Sequence, residues 1–137
     1  MARKTEAYVD TSALIAFADR SDSYHPLFRR LFADPPALVT TTLVIAEGHG
    51  WFLKRYDRNK ALEYLGMIEL MRPLKIISVG QREQGGATEL LRSFSDKDLT
   101  LVDAVGLNLM ETRRIRSCWS TDFHLGLTGV SLVIHEY

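Results

Sequence analysis

Four acidic residues occupy positions where a solvated surface carboxylate is not expected. Asp10 falls between the apolar approach AYV and the run ALIAF, with two hydroxyl residues, Thr11 and Ser12, directly after it. Glu47 sits in TTLVIAEGHGWFL and Asp103 in LTLVDAVGLNLM, both among apolar or small neighbours. Asp122 follows the run SCWS after Thr121. A fifth acid, Asp98, stands shortly before Asp103 in the polar connection SDKD and can approach the same place from the loop.

Each acid also has a purely local explanation. Asp10 can cap the helix after it, Asp103 can close a capping box with Thr100, Asp122 can cap a short helix of its own, and Glu47 can pair with a core arginine. Asp98 can simply be solvated. These explanations leave open why four acids fall at strand ends or on sheet-facing helix positions, where an unpartnered carboxylate is costly to bury. A hard divalent cation accounts for them together. Carboxylates and water suit Mg²⁺ or Mn²⁺, whereas a single cysteine, Cys118, and no HExxH pattern argue against zinc. Cys118, in IRSCWS, reads as a small buried hydrophobe. His124, next to the proposed site, can contact a substrate.

The elements that must position these acids alternate. Residues 7–9 read as a short buried strand, followed by a helix opening at Thr11 or Ser12 and running to about Ala18. A helix over 24–33 has Pro26 in its first turn, and Pro35 and Pro36 mark a loop. ALVT is a second strand, and Thr41 or Thr42 caps a helix through about Tyr56. Another helix spans 58–71 and stops before Pro73. LKIISV is the third strand, 82–93 is helical, and 100–114 is a helix. SCWS is a strand, DFHLGL a helical turn, and SLVIHEY a final strand. Strands alternating with helices predict a three-layer α/β/α sandwich with a mainly parallel sheet, whose ligand crevice lies beyond the carboxyl ends of the strands. Two acids leaving adjacent strands, about 4.8 Å apart, can share one metal ion.

With 137 residues, 46% of them hydrophobic and 25% charged, the chain is expected to fold as one domain over 1–137. No repeat, low-complexity tract or linker divides it. No window approaches the roughly 18 apolar residues of a membrane span, and MARKTEAYVD reaches its acid before any signal-peptide core, so a cytoplasmic protein is expected. Balanced charge, 17 basic against 17 acidic residues, does not by itself announce a nucleic-acid partner. Two local basic clusters, Lys54, Arg55, Arg58 and Lys60, and Arg113, Arg114 and Arg116, read either as solvated helix ends or as a grip on RNA.

The motifs YVDTSALIA, TTLVIAEG, LTLVDAVGLNLM and STDFHL resemble, in order and spacing, those of the PIN domain, as found in VapC-type toxins of toxin–antitoxin pairs. The resemblance covers nearly the whole chain. It implies a Mg²⁺- or Mn²⁺-dependent ribonuclease with Asp10, Glu47, Asp103 and Asp122 as the acidic set, Asp98 as an additional acid, and Thr11, Ser12 and Thr121 as the accompanying hydroxyls. One departure is that Leu125 stands where the family often has an aromatic, with Phe123 one position after the acid instead. The resemblance further implies an RNA substrate, an antitoxin that covers the acidic groove, and a homodimer. A different class of reading is a PIN-like binding module whose nuclease activity is lost or masked. A response-regulator-like domain would want two acids at the end of the first strand and a lysine after a late strand, and neither is present.

Overall fold

The computed structural model describes residues 5–72 and 74–136. β1 (Glu6–Val9) runs into α1 (Thr11–Ala18), and α2 (His25–Ala33) returns the chain to β2 (Ala37–Thr41). α3 (Thr42–Arg55) and α4 (Arg58–Leu70) pack against each other before β3 (Leu74–Ile77). α5 (Gln81–Ser93) and α6 (Leu101–Arg113) pair in the same way before β4 (Ser117–Trp119), and β5 (Ser131–Leu132) completes the sheet. The strands are ordered β3-β2-β1-β4-β5, and every pairing is parallel. This is the α/β/α sandwich with a parallel sheet that the alternating pattern predicts. The chain proceeds from β1 outward through β2 and β3, then crosses to β4 on the other side. The strand order therefore switches between β1 and β4, the place where open parallel sheets form a ligand crevice.

Local chemistry fixes the helix starts. The Thr41 hydroxyl accepts from Val44 N–H (3.4 Å) at α3, and Asp57 accepts from Lys60 N–H (2.9 Å) at α4. At the other end of α6, Arg114 adopts a left-handed conformation (φ 56°), and Ile115 N–H donates to the Met110 carbonyl (2.8 Å), which stops the helix and aims the chain into β4.

The core runs through Tyr8, Val9, Leu14, Phe28, Val39, Leu107, Met110 and Leu125, all buried, with Cys118 among them as expected. Leu125, at the position where an aromatic is common, fills core space, while Phe123 is 67% exposed. Two glycines permit close approaches. A Cβ on Gly48 would run into the Tyr64 ring, so α3 and α4 meet there as tight helix packing requires. A Cβ on Gly106 would lie 2.8 Å from Tyr8 Cε1. The bare backbone of α6 at Gly106 thus rests directly on β1, and Asp103, one turn earlier, is carried towards the end of that strand.

The last strand differs from expectation. SLVIHEY contributes only Ser131 and Leu132 to the sheet, and Val133–His135 forms a 3₁₀ turn. β4 is three residues long and offers partners only through Ser117↔Ser131 and Cys118↔Leu132. Without further partners the backbone satisfies itself locally, Glu136 N–H donating to the Val133 carbonyl (3.0 Å). Residue 137 of that expected strand, and Pro73 after α4, lie outside the described residues. Among the described residues no helix is long and apolar enough to cross a membrane.

Candidate active site

The pairing of β1 with β4 extends one residue beyond the strands, because Asp10 N–H donates to the Trp119 carbonyl (3.0 Å). Asp10 and Ser120 therefore leave the sheet side by side at the strand switch. Asp10 occupies the N-cap position of α1, and its carbonyl accepts from Ala13 and Leu14 N–H (3.1 and 3.4 Å), yet its carboxylate makes no capping bond. Oδ2 instead accepts from the hydroxyls of Ser12 and Ser120, each at 3.0 Å. The same two oxygens accept in turn from the backbone beyond β4: Ser12 Oγ from Thr121 N–H (3.0 Å) and Ser120 Oγ from Asp122 N–H (2.9 Å). A two-serine clasp thus ties the end of β1 to the segment that carries Asp122.

The local explanations for Asp103 and Asp122 both hold. Asp103 N–H donates to Thr100 Oγ1 (3.1 Å) and Asp103 Oδ2 faces Thr100 N–H (3.5 Å), which is a capping box. Asp122 Oδ1 accepts from His124 N–H (3.0 Å) at the head of the 3₁₀ turn Phe123–Gly126. Capping and clustering are compatible here, since the cap holds each carboxylate still at the open end of the sheet. Glu47 differs from its expected setting: it lies on an exposed side of α3 rather than against a dry core, near enough to Asp10 and Asp122 for their charges to act on it.

The acids act on one another. Asp10, 4% exposed, is raised above the ordinary carboxylate range, first by burial, with the two serine hydroxyls opposing and the charge of Asp103 adding to the rise. Glu47 is raised first by desolvation of its carboxyl end, with Thr11 opposing and Asp10 and Asp122 pushing it further. Asp103 is raised first by burial, then by Asp122, against the bonds from Thr100 and with a further push from Glu47. Two ionised carboxylates about 5 Å apart repel by roughly 3 kcal/mol at an effective dielectric of about 20. Among the described residues no lysine or arginine forms an ion pair with any of the four, and the one basic contact is His124 Nδ1, 3.2 Å from Asp122 Oδ1.

The donors suit a hard divalent cation. They are carboxylate oxygens and hydroxyls, the nearby thiol of Cys118 is buried with its ionisation pushed up by burial and by the acids, and Thr11 Oγ1 is buried beside them, close enough to Glu47 to favour its ionised form but without a well-aligned hydrogen bond. The expected site residues Asp10, Glu47, Asp103, Asp122, Thr11 and Ser12 come together. Thr121 joins through its backbone N–H, and its neighbour Ser120 takes the hydroxyl position. Parallel register would have pointed to Ser120, which stands one step past Val9↔Trp119 as Asp10 does. Asp98 is exposed and does not join the group formed around Asp103 and Asp122. That group instead includes His124, one potential ligand atom from each of the three lying within 4.8 Å of the others. The cluster of Arg113, Arg114 and Arg116 lines a cleft with Thr5, Glu6 and Ala37, at the opposite end of the sheet from the acids.

A relative, the 23S rRNA-specific endonuclease VapC20 of Mycobacterium tuberculosis, is 26% identical over 124 residues, which span 89% of this chain and 93% of the relative. The crystal structure of that VapC20, described as a Sarcin-Ricin loop cleaving toxin, has a TM-score of 0.83 at 23% identity and covers 91% of this chain and 96% of its own. A toxin-antitoxin complex from Klebsiella pneumoniae contains a chain with a TM-score of 0.61 at 19% identity, covering 92% and 94%. At these identities the two solved structures speak to the fold. The family model for the PIN domain matches residues 7–125, from the strand that delivers Asp10 to the turn beyond Asp122, and this chain belongs to the PIN domain family.

Proposed function

We propose that this chain is an endoribonuclease toxin that hydrolyses RNA phosphodiester bonds with Mg²⁺ or Mn²⁺ held by its acid cluster. The observation that carries the reading is the convergence of Asp10, Glu47, Asp103 and Asp122 at the strand switch with no arginine or lysine among the described residues paired to them. A phosphodiester is itself anionic, so a bare acid cluster repels it and a cation must invert the local field.

Asp10, Asp103 and Asp122 are assigned as the residues that hold the cation, directly or through water. A divalent cation supplies Lewis-acid chemistry, making a water more acidic at neutral pH and offsetting charge on the phosphate oxygens. Glu47, whose carboxyl is raised and lies at the open side, shares in holding the cation or orients the attacking water and accepts its proton. In the hydrolysis the water oxygen bonds to phosphorus, the P–O ester bond breaks, and the departing oxygen takes up a proton. The Ser12 and Ser120 hydroxyls keep Asp10 oriented, and Thr11 Oγ1, beside Glu47, can bind a water or a phosphate oxygen. Phe123, exposed at the rim, offers a face on which an unpaired base can stack. Asp98 has no role in this reading.

The VapC20 relative makes ribosomal RNA the first substrate to test, and the toxin-antitoxin complex among the structural neighbours supports an antitoxin partner. Such a partner can silence the site by bringing an arginine or lysine to the acids in place of the cation. A homodimer is the assembly we propose for the free toxin. The test is cleavage of ribosomal RNA by the purified chain with Mg²⁺ or Mn²⁺ against EDTA, alongside Asp10→Asn and Asp103→Asn. Each substitution is expected to lower the rate by roughly 100-fold or more, the scale of removing one electrostatic element of an active site, while circular dichroism shows the fold intact. Unchanged cleavage by both folded variants would sink the proposal.

A further inference from the structure

The geometry points to His124 as a metal ligand that, with Asp103 and Asp122, gives the site a preference for Mn²⁺ over Mg²⁺. The inference rests on the reading of the acid cluster as a cation site and concerns which ion it selects.

His124 lies two residues after Asp122 in the 3₁₀ turn, whose backbone is fixed at two points and whose imidazole has one aromatic neighbour. Its backbone N–H is bound to Asp122 Oδ1 (3.0 Å), Leu125 after it is fully buried, and the Phe123 ring packs on the imidazole with centroids 4.3 Å apart. So placed, Nδ1 stands 3.2 Å from Asp122 Oδ1. Two donor atoms bound to adjacent positions of one octahedral ion, each about 2.1 Å from it, are separated by about 3 Å. The observed 3.2 Å is compatible with two such donors as it is with a hydrogen bond, and Asp103 offers a third atom within 4.8 Å of both. Asp103 is buried at the inner wall, whereas the side chains of Asp122 and His124 are 34% and 23% exposed, which leaves the outer positions open to water and substrate.

The alternative is a plain hydrogen bond in which Nδ1–H donates to Asp122. That bond neutralises at most one carboxylate, and only with a protonated ring, whereas Asp103, Asp122, Glu47 and Asp10 all act on the same space. A cation in that space relieves the repulsion among all of them, with neutral imidazole supplying a lone pair from Nδ1 and keeping its proton on Nε2. Imidazole nitrogen suits first-row transition ions better than Mg²⁺, which prefers oxygen donors and retained waters. The nitrogen of His124 adds a reason to discriminate beyond what the carboxylate oxygens supply.

The test uses the full chain stripped of metal with EDTA, titrated calorimetrically with Mn²⁺ and with Mg²⁺, and pulsed electron paramagnetic resonance of the Mn²⁺ complex, in which a directly bound nitrogen modulates the echo. Wild type is expected to bind Mn²⁺ at least about tenfold more tightly than Mg²⁺ and to show nitrogen modulation. His124→Ala is expected to lose about tenfold in Mn²⁺ affinity, the low end of the range for altering a metal's surroundings, to lose the modulation, and to keep its Mg²⁺ affinity. Should His124→Ala not fold, His124→Gln serves the same comparison, and the modulation in wild type stands independently of either variant. Mn²⁺ bound without nitrogen modulation, or equal loss of both ions in the variant, overturns the assignment of His124 and leaves the acid site standing. Failure of folded wild type to bind either ion overturns the cation site as a whole.

Discussion

β1 is four residues long, and an acid stands at each of its ends with opposite treatment. Glu6, at its start, meets Arg113 from the last turn of α6, whose Nη2 reaches both carboxylate oxygens (3.0 and 3.4 Å). Asp10, just past its end, meets Asp103 from the first turn of the same helix, whose charge raises the cost of ionising Asp10, while Asp103 is itself raised by burial and by Asp122. One helix lying antiparallel to one strand therefore supplies a cation at one end and an anion at the other. The pair at Glu6 is a self-sufficient surface contact, both side chains being 31% exposed. The pair at Asp10 is an electrostatic conflict held in place by a capping box, a serine clasp and the close contact at Gly106. Structural acids are given partners by the fold; acids that must take up a partner from solution are left without one and immobilised.

Three measurements separate the two ends of β1. The largest effect is expected from Ser120→Ala, which removes one of the two hydroxyls on Asp10 Oδ2 and the acceptor of Asp122 N–H. Calorimetric Mn²⁺ affinity should fall by about 10- to 100-fold, the usual result of loosening the groups behind metal ligands, with the fold retained. A variant that binds as wild type does would show that the clasp is not what holds the acids in position.

A smaller effect is expected from pH. Asp10, Glu47 and Asp103 titrate above the ordinary carboxylate range when folded. Between about pH 4, where such groups titrate in the unfolded chain, and their raised values, the folded state holds the more protons. Stability without metal must then fall as pH rises through that window. In EDTA, Tm should drop by about 2–5 °C as pH rises across it, and Mn²⁺ should restore more stability at the upper end, where the acids are ionised, than at the lower. A Tm in EDTA that rises over the same interval would mean that the acids are already compensated within the protein.

The smallest effect belongs to the other end of the strand. Glu6→Gln should cost about 0–1 kcal/mol in denaturant unfolding, as for other partly exposed ion pairs, and should leave Mn²⁺ affinity unchanged. If it weakened metal binding as much as Ser120→Ala, the two ends of β1 would not be independent.

The acids themselves were legible in the chain because an acid among apolar neighbours is chemically conspicuous wherever the backbone goes. The β/α alternation was legible for a related reason: short β-rich runs and capped amphipathic segments have local signatures, and Thr41 and Thr100 mark the starts of two helices. Less legible was the fate of SLVIHEY, whose apolar character permits a strand but whose length in the sheet was decided by the shortness of β4. Thr121 is singled out by the resemblance alone, as the hydroxyl before the last acid, whereas the register with β1 decides that Ser120 is the hydroxyl facing Asp10. Glu47 stands out among apolar neighbours in the chain, but how exposed its side of α3 is depends on what packs around it.

Residue types, caps and the order of strands and helices follow from contacts within a few residues and so can be read along the chain. Long-range packing is what makes Asp10 decline its cap for two serines, brings Asp103 and Arg113 of α6 to opposite ends of β1, and sets His124 among the acids where Asp98 is not. Those outcomes depend on strand register, on the depth at which Gly106 lets a helix settle, and on the reach of a side chain across a turn. None of these is encoded within the span of a local motif.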